Sequence, residues 1–280
     1  MRVSESAYHA FASGKTYVLG PVKTELSKQV KKVFWAHRRR YGSRRITAQL
    51  QAQGVRVGRF QVRSLMRSLA LEAITPRRFR PMTTDSRHTV QASPNLLLDG
   101  MNVAQQPGEV IVGDITYLPL ASGKWSYLAS WQDTFSKRIV GWAVADAMTE
   151  ELVIKAFEKA VASSGVKPAT IVHTDRGSQY VSNKFRALLE AHECRQSMSR
   201  RANCWDNAQA ESLFSRYKTE LLEDGVFEDT LQARSETFSY IEGYYNRVRR
   251  HSSLGYKTPA EFEQEFNTKK KGSSNESFVS

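Results

Sequence analysis

The chain has 280 residues, 40% of them hydrophobic and 25% charged, and a net charge of +13. That length suits one sizeable core, or a core plus a small domain. No apolar run approaches the roughly 18 residues of a membrane span, and no apolar stretch follows Met1 as a secretory signal requires, so a cytoplasmic protein is expected.

Two cysteines, Cys194 and Cys204, are too few for a disulfide framework, and no His pair has zinc-finger spacing, so no structural zinc is expected. The positive charge is unevenly placed. Residues 1–100 carry 19 Lys+Arg against 5 Asp+Glu, whereas residues 101–280 carry 22 against 23. Such asymmetry points to an N-terminal module that binds a polyanion, joined to a near-neutral domain with another task.

In chain order, residues 1–20 form an N-terminal segment with no clear pattern. Residues 21–40 read as a helix, with Leu26, Val30, Val33 and Phe34 at helical spacing. Tyr41-Gly42-Ser43 breaks it. A second helix is expected over 44–53, stopped by Gly54, and a third over 59–70 with Val62, Leu65, Met66 and Leu69 inward. That leaves Arg59, Gln61, Arg63 and Arg67 on the outer face of the third helix. Two short helices around a Gly-containing turn, the second rich in Arg and Gln, fit a helix-turn-helix over 21–72. Arg and Gln are the side chains that fork onto guanine and adenine edges. A small bundle with a basic surface would leave the same pattern.

Residues 73–108 lack periodicity, contain Pro76, Pro81, Pro94 and Pro107, and read as a basic linker along a phosphate backbone. From Val110 the pattern changes. Strands are expected over 110–120, 125–132 and 138–145, with a hairpin turn at Ala121–Lys124. A helix over 149–163, a strand over 170–174, a helix over 181–192 and a strand over 196–199 follow. Long helices are expected at 207–222 and 230–248. The order predicts an α/β catalytic core over 109–225, a mixed five-stranded sheet flanked by helices, with a helical extension over 226–266 and a disordered tail over 267–280.

Three carboxylates stand out. Asp114 lies inside an apolar strand, where an ionised group is costly unless paired or metal-bound. Asp175 ends the fourth strand, and open α/β sheets place ligands at the carboxyl ends of their parallel strands. Glu211 sits one turn into the long helix, for which Asp206 is a candidate N-cap with Gln209 at the capping-box position. Three such groups brought together cannot all stay ionised without cations. Two Mg²⁺ ions would relieve the repulsion and assist an in-line phosphoryl displacement. Asn207, Glu211 and Lys218 fall on one helical stripe, which sets Lys218 to meet a DNA phosphate.

The segments Val112–Tyr117, Asp133–Trp142, His173–Tyr180, Ser197–Asn207, Ala210–Ser212, Lys218–Leu221 and Tyr244–Tyr256, closed by Pro259, together resemble the OrfB-type transposases of bacterial insertion sequences. Thirty-five residues separate Asp175 and Glu211, a spacing typical of that group. Tyr41–Ile46 resembles the group's helix-turn-helix segment. The resemblance covers roughly residues 20–265. It implies a ribonuclease H-like fold of retroviral-integrase type, with Asp114, Asp175 and Glu211 as the catalytic triad on two Mg²⁺ or Mn²⁺ ions. Lys218, Arg176 and Asn207 would touch DNA, with Arg59, Gln61, Arg63 and Arg67 as further DNA contacts. His173, Gln179 and Asn203 would shape the site, His173 through a structural hydrogen bond rather than as a general base. It implies double-stranded DNA as partner, both element ends and target, in a homo-oligomer assembled on DNA at the nucleoid. An upstream-frame partner protein or fusion is a further implied partner. Ile111 stands where the group often has Trp, and Ala202 where it often has Gly. The alternatives are a catalytically silent DNA-binding regulator and a ribonuclease H-like nuclease.

Overall fold

The computed structural model describes residues 9, 12–13, 21–75, 93–98, 102–200, 204–223 and 225–276. They form two compact units that divide between Ile74 and Thr75.

The first unit holds three helices: α1 (Pro21–Ala36), α2 (Ser43–Ala52) and α3 (Arg59–Ser68). The apolar stripes meet as their spacing predicts, burying Leu26, Val30, Val33 and Phe34 with Ile46, Leu50, Val62, Leu65 and Met66. Leu69 is half-buried, just beyond the end of α3. α1 stops four residues before the expected end. Arg38 and Arg39 turn left-handed, at φ 49° and 62°, although neither is glycine. The remote contact at this turn is the hydrogen bond from Ile74 N to the Arg39 carbonyl at 3.0 Å, beside a local stack of the His37 ring on the buried Tyr41 ring at 3.6 Å. Gly54 takes φ +83° after α2, the left-handed stop its sequence position implied.

The second unit is built on a five-stranded sheet in the order β3-β2-β1-β4-β5. Its strands are β1 (Val110–Pro119), β2 (Trp125–Asp133), β3 (Ile139–Ala145), β4 (Ile171–Thr174) and β5 (Arg195–Met198). The first three pair antiparallel, and β4 and β5 run parallel to β1. This is the expected ribonuclease H-like mixed sheet. α4 (Glu150–Ala162) and α5 (Asn183–Ala191) cover one face, packing Phe157 and Phe185 on Trp131. α4 crosses β3 so closely that a Cβ on Gly141 would lie 2.2 Å from the Ala156 carbonyl oxygen.

The other face is covered by α6 (Ala208–Tyr217) and α7 (Thr230–Phe238), whose Leu213, Phe214, Tyr217 and Ala233 join Leu118, Leu128 and Trp142. Both helices continue into wider π-type turns, Lys218–Leu222 and Ser239–Tyr245. α8 (Pro259–Glu276) runs on past residue 266, where a disordered tail is expected. Its Phe262 and Phe266 pack on Phe135, and Lys270 Nζ donates to Gln106 Oε1 at 2.8 Å, contacts that tail composition does not reveal. The expected linker is likewise docked in part: residues 93–98 lie against β5, with Met198 N donating to the Pro94 carbonyl at 3.3 Å. Residues 76–92 and 99–101 of that stretch lie outside the described residues.

Candidate active site

The register between β1 and β4 brings two of the three carboxylates together. Val112 pairs with His173, so Asp114, midway along β1, and Asp175, one residue past the end of β4, each stand two residues beyond a paired position, beside the carboxyl end of β4. Beside Asp114, Gly113 makes room for a side chain of β2. The Trp131 ring crosses it so closely that a Cβ would lie 2.3 Å from the ring. Asp114 Oδ1 accepts from Ile115 N at 2.8 Å, and Asp175 Oδ1 accepts from Gly177 N at 2.9 Å.

Burial pushes the Asp114 carboxyl well above the usual range, and the charges of Asp175 and then Glu211 push the same way, against Lys218. Asp114 retains some solvent-accessible surface, so its burial is that of a group in a walled but open cleft. Asp175 and Glu211 are also raised, each by burial. Glu211 is the most exposed of the three by surface area. Lys218 is pulled down by burial and held up by the charge of Asp114. The four side chains therefore share one electrostatic neighbourhood centred on Asp114.

This donor set suits a hard divalent cation: carboxylate oxygens only, with repulsion that a cation would relieve. Among the described residues, no three His, Cys, Asp or Glu side chains are arranged to hold one ion as they stand.

The residues around the triad are placed as follows. His173 is fully buried, and burial lowers its basicity. Its Nδ1 meets Ser197 Oγ at 2.8 Å, and its Nε2 meets the Asp206 carbonyl at 3.0 Å and Ser199 Oγ at 3.2 Å. Those are structural bonds. Arg176 Nε donates to the Ser199 carbonyl at 2.8 Å, and Gln179 Nε2 donates to the Met148 carbonyl at 3.0 Å. Asn207 is buried with its Oδ1 unpartnered. Asn203 lies outside the described residues. In the first unit, Arg59, Gln61, Arg63 and Arg67 are all exposed on α3, beside Phe60 at 80% exposure.

Asp206 does not cap the helix. Asn207 occupies the N-cap, without a side-chain cap, and the Asp206 carboxylate instead accepts from Arg200 and Asn95. The expected capping partner, Gln209, takes a hydrogen bond from Lys137 Nζ at 3.1 Å. A residue whose place the sequence did not single out is Tyr180. It is buried behind the two aspartates, and its hydroxyl is pushed well up by burial and by both their charges.

Family models described as "Integrase core domain" match residues 104–204 and 192–259, and one described as "HTH-like domain" matches residues 21–79. The chain is 39% identical over 239 residues to the transposase for insertion sequence element IS904 of Lactococcus lactis, covering 85% of this chain and 93% of that one. It is 35% identical over 265 residues to the transposase InsF for insertion sequence IS3A of Escherichia coli, covering 94% and 91%. Among solved structures, the simian T-cell lymphotropic virus intasome in complex with PP2A regulatory subunit B56 gamma aligns over 84% of this chain and 74% of that one. The TM-score is 0.44 and the identity 16%.

Proposed function

The chain belongs to the IS3-family transposases of bacterial insertion sequences, DNA-binding enzymes of the DDE type, and from that premise we propose how its own residues cut and join DNA. Asp114, Asp175 and Glu211 are the catalytic carboxylates. The observation that carries this is the register of β1 on β4, which brings Asp114 and Asp175 to neighbouring positions beside the carboxyl end of β4, each discouraged from ionising.

These three side chains would hold two Mg²⁺ or Mn²⁺ ions, which when bound supply activation of the attacking oxygen and stabilisation of the leaving oxygen. The reaction runs in two displacements. Water attacks phosphorus at an element end and the bond to the 3′ oxygen breaks, leaving a 3′-hydroxyl. That hydroxyl attacks a target phosphodiester, whose own 3′ oxygen leaves. No bond forms to the protein.

Lys218 sits beside Asp114 to receive a backbone phosphate as a point charge. Arg176 meets DNA near the reacting end, while Asn207, buried where α6 starts, shapes the site with His173, Gln179 and Asn203. The 21–72 unit reads element ends through Arg59, Gln61, Arg63 and Arg67, the 109–225 core performs the chemistry, and 226–266 braces it. The enzyme works as a homo-oligomer on double-stranded DNA at the nucleoid, with an upstream-frame partner or fusion for end recognition. No helix among the described residues is long and apolar enough to cross a membrane.

The test supplies a duplex with a pre-cut 3′ end, a target duplex and Mg²⁺. Joined product is expected. Hydrolysis without joining favours a plain nuclease, and binding without either favours a silent regulator.

A further inference from the structure

The segment ahead of β1 grips the site from outside. Ser93 Oγ donates to Gln196 Oε1 at 2.7 Å, and Leu96 N donates to Ser197 Oγ at 2.9 Å. With the bond from Met198 N to Pro94, three successive residues of β5 hold this strap. Asn95 projects from its middle. Its Nδ2 donates to Asp206 Oδ2 at 2.9 Å while its Oδ1 accepts from Leu97 N at 2.9 Å, which fixes the orientation of the amide.

The Asp206 carboxylate is closed in by further donors. Arg200 N lies at 2.8 Å, Arg200 Nε at 3.1 Å and its Nη2 at 3.0 Å, and only 7% of the aspartate side chain reaches solvent. A second route reaches the same residue. Because a carbonyl only accepts, His173 Nε2 must donate to Asp206 O, so its Nδ1 accepts from Ser197 Oγ, which itself accepts from Leu96 N. The strap thus holds Asp206 through its side chain and through its backbone. Asp206 immediately precedes Asn207, from which α6 starts, and Glu211 lies in the first turn. Among the described residues no hydrogen bond holds the Glu211 carboxylate itself, so α6 alone places it.

We infer that Asn95 and Asp206 are positioning residues: the strap sets where α6 begins, and so where Glu211 stands relative to Asp114 and Asp175. The inference rests on Glu211 being the third catalytic carboxylate.

The full-length protein with N95A, D206N, the double variant and E211Q tests it, using cleavage of an element-end duplex in saturating Mg²⁺ and hydrogen exchange of residues 204–213. N95A lowers kcat about 10- to 100-fold, as small misplacements do, leaves KM for DNA unchanged, and speeds exchange at the start of α6. The losses in the double variant are less than additive, because Asn95 acts through its contact with Asp206. Unchanged kcat in N95A, fully additive losses, or a kcat loss without faster exchange at α6 overturns the inference. If D206N alone fails to fold, N95A decides. E211Q separates the two readings: an active E211Q removes the catalytic assignment and this inference with it. An inactive E211Q beside a fully active N95A removes only the positioning role.

Discussion

The guanidinium of Arg249 closes on the carboxylate of Glu220 inside the protein, Nε donating at 2.8 and 3.1 Å, with Arg249 wholly buried. Tyr240 OH donates to the same carboxylate at 3.0 Å. Glu220 lies two residues past Lys218 in the π-type turn that continues α6, so the pair ties the C-terminal helices to the element that bears Glu211. Asn246 ties the same C-terminal segment to β3 instead: its side chain accepts from Ile139 N at 2.9 Å and donates to Ile139 O at 3.0 Å.

Removing one partner strands a buried charge. Arg249→Met is expected to lower unfolding free energy by about 3–5 kcal/mol, the usual result of breaking a buried pair from one side. Denaturant unfolding checks it. A loss below about 1 kcal/mol would mean that the pair is already solvated.

Asp114→Asn is expected to cut strand cleavage by on the order of 10²–10³-fold or more, the scale at which a transition-state electrostatic group is lost. Affinity for an element-end duplex in the absence of divalent metal should hold. Cleavage at the parent rate in that variant would remove Asp114 from the chemistry.

The same residue gives a pH signature in metal-free protein. Burial and Asp175 raise the folded carboxyl above its unfolded value of about 4. The folded state then binds the proton more tightly, a stabilisation fully present below the unfolded value and lost as pH rises through the folded one. In EDTA, Asp114→Asn should therefore gain thermal stability over the parent between pH 4 and pH 8. Mg²⁺ at pH 8 should raise the parent's melting point more than the variant's. Parallel melting profiles at every pH would refute the coupling.

Lys218→Ala should weaken binding of a pre-cut end and flatten the plot of log affinity against log salt by about one unit. Fluorescence anisotropy from 50 to 300 mM salt measures the slope, and an unchanged slope counts against a phosphate contact.

On α3, Arg63→Ala is expected to cost about 1–3 kcal/mol of binding to the element end if it reads a base edge. The loss should be smaller on unrelated duplexes. Equal losses on both reassign Arg63 to the phosphate backbone, and full affinity demotes α3 to packing.

The chain alone determined its elements and its acids. The helical stripes of the first unit and the hairpin strands follow from short-range periodicity, and the three candidate carboxylates from the cost of charge in an apolar strand at Asp114, a strand's carboxyl end at Asp175 and a place one turn into the long helix at Glu211. Tertiary structure decided what those patterns cannot reach. Asp206 has the chemistry of a helix cap, but Asn95, 111 residues away, and Arg200 claim its carboxylate. α1 ends where Arg38 and Arg39 turn left-handed with no glycine to announce it, and Ile74, 35 residues on, donates to the Arg39 carbonyl. The strap, the buried Arg249–Glu220 pair and the extended α8 likewise rest on partners distant in sequence. Local propensity is a sum over neighbours along the chain, whereas a hydrogen bond between remote groups becomes available only after the sheet has brought them together.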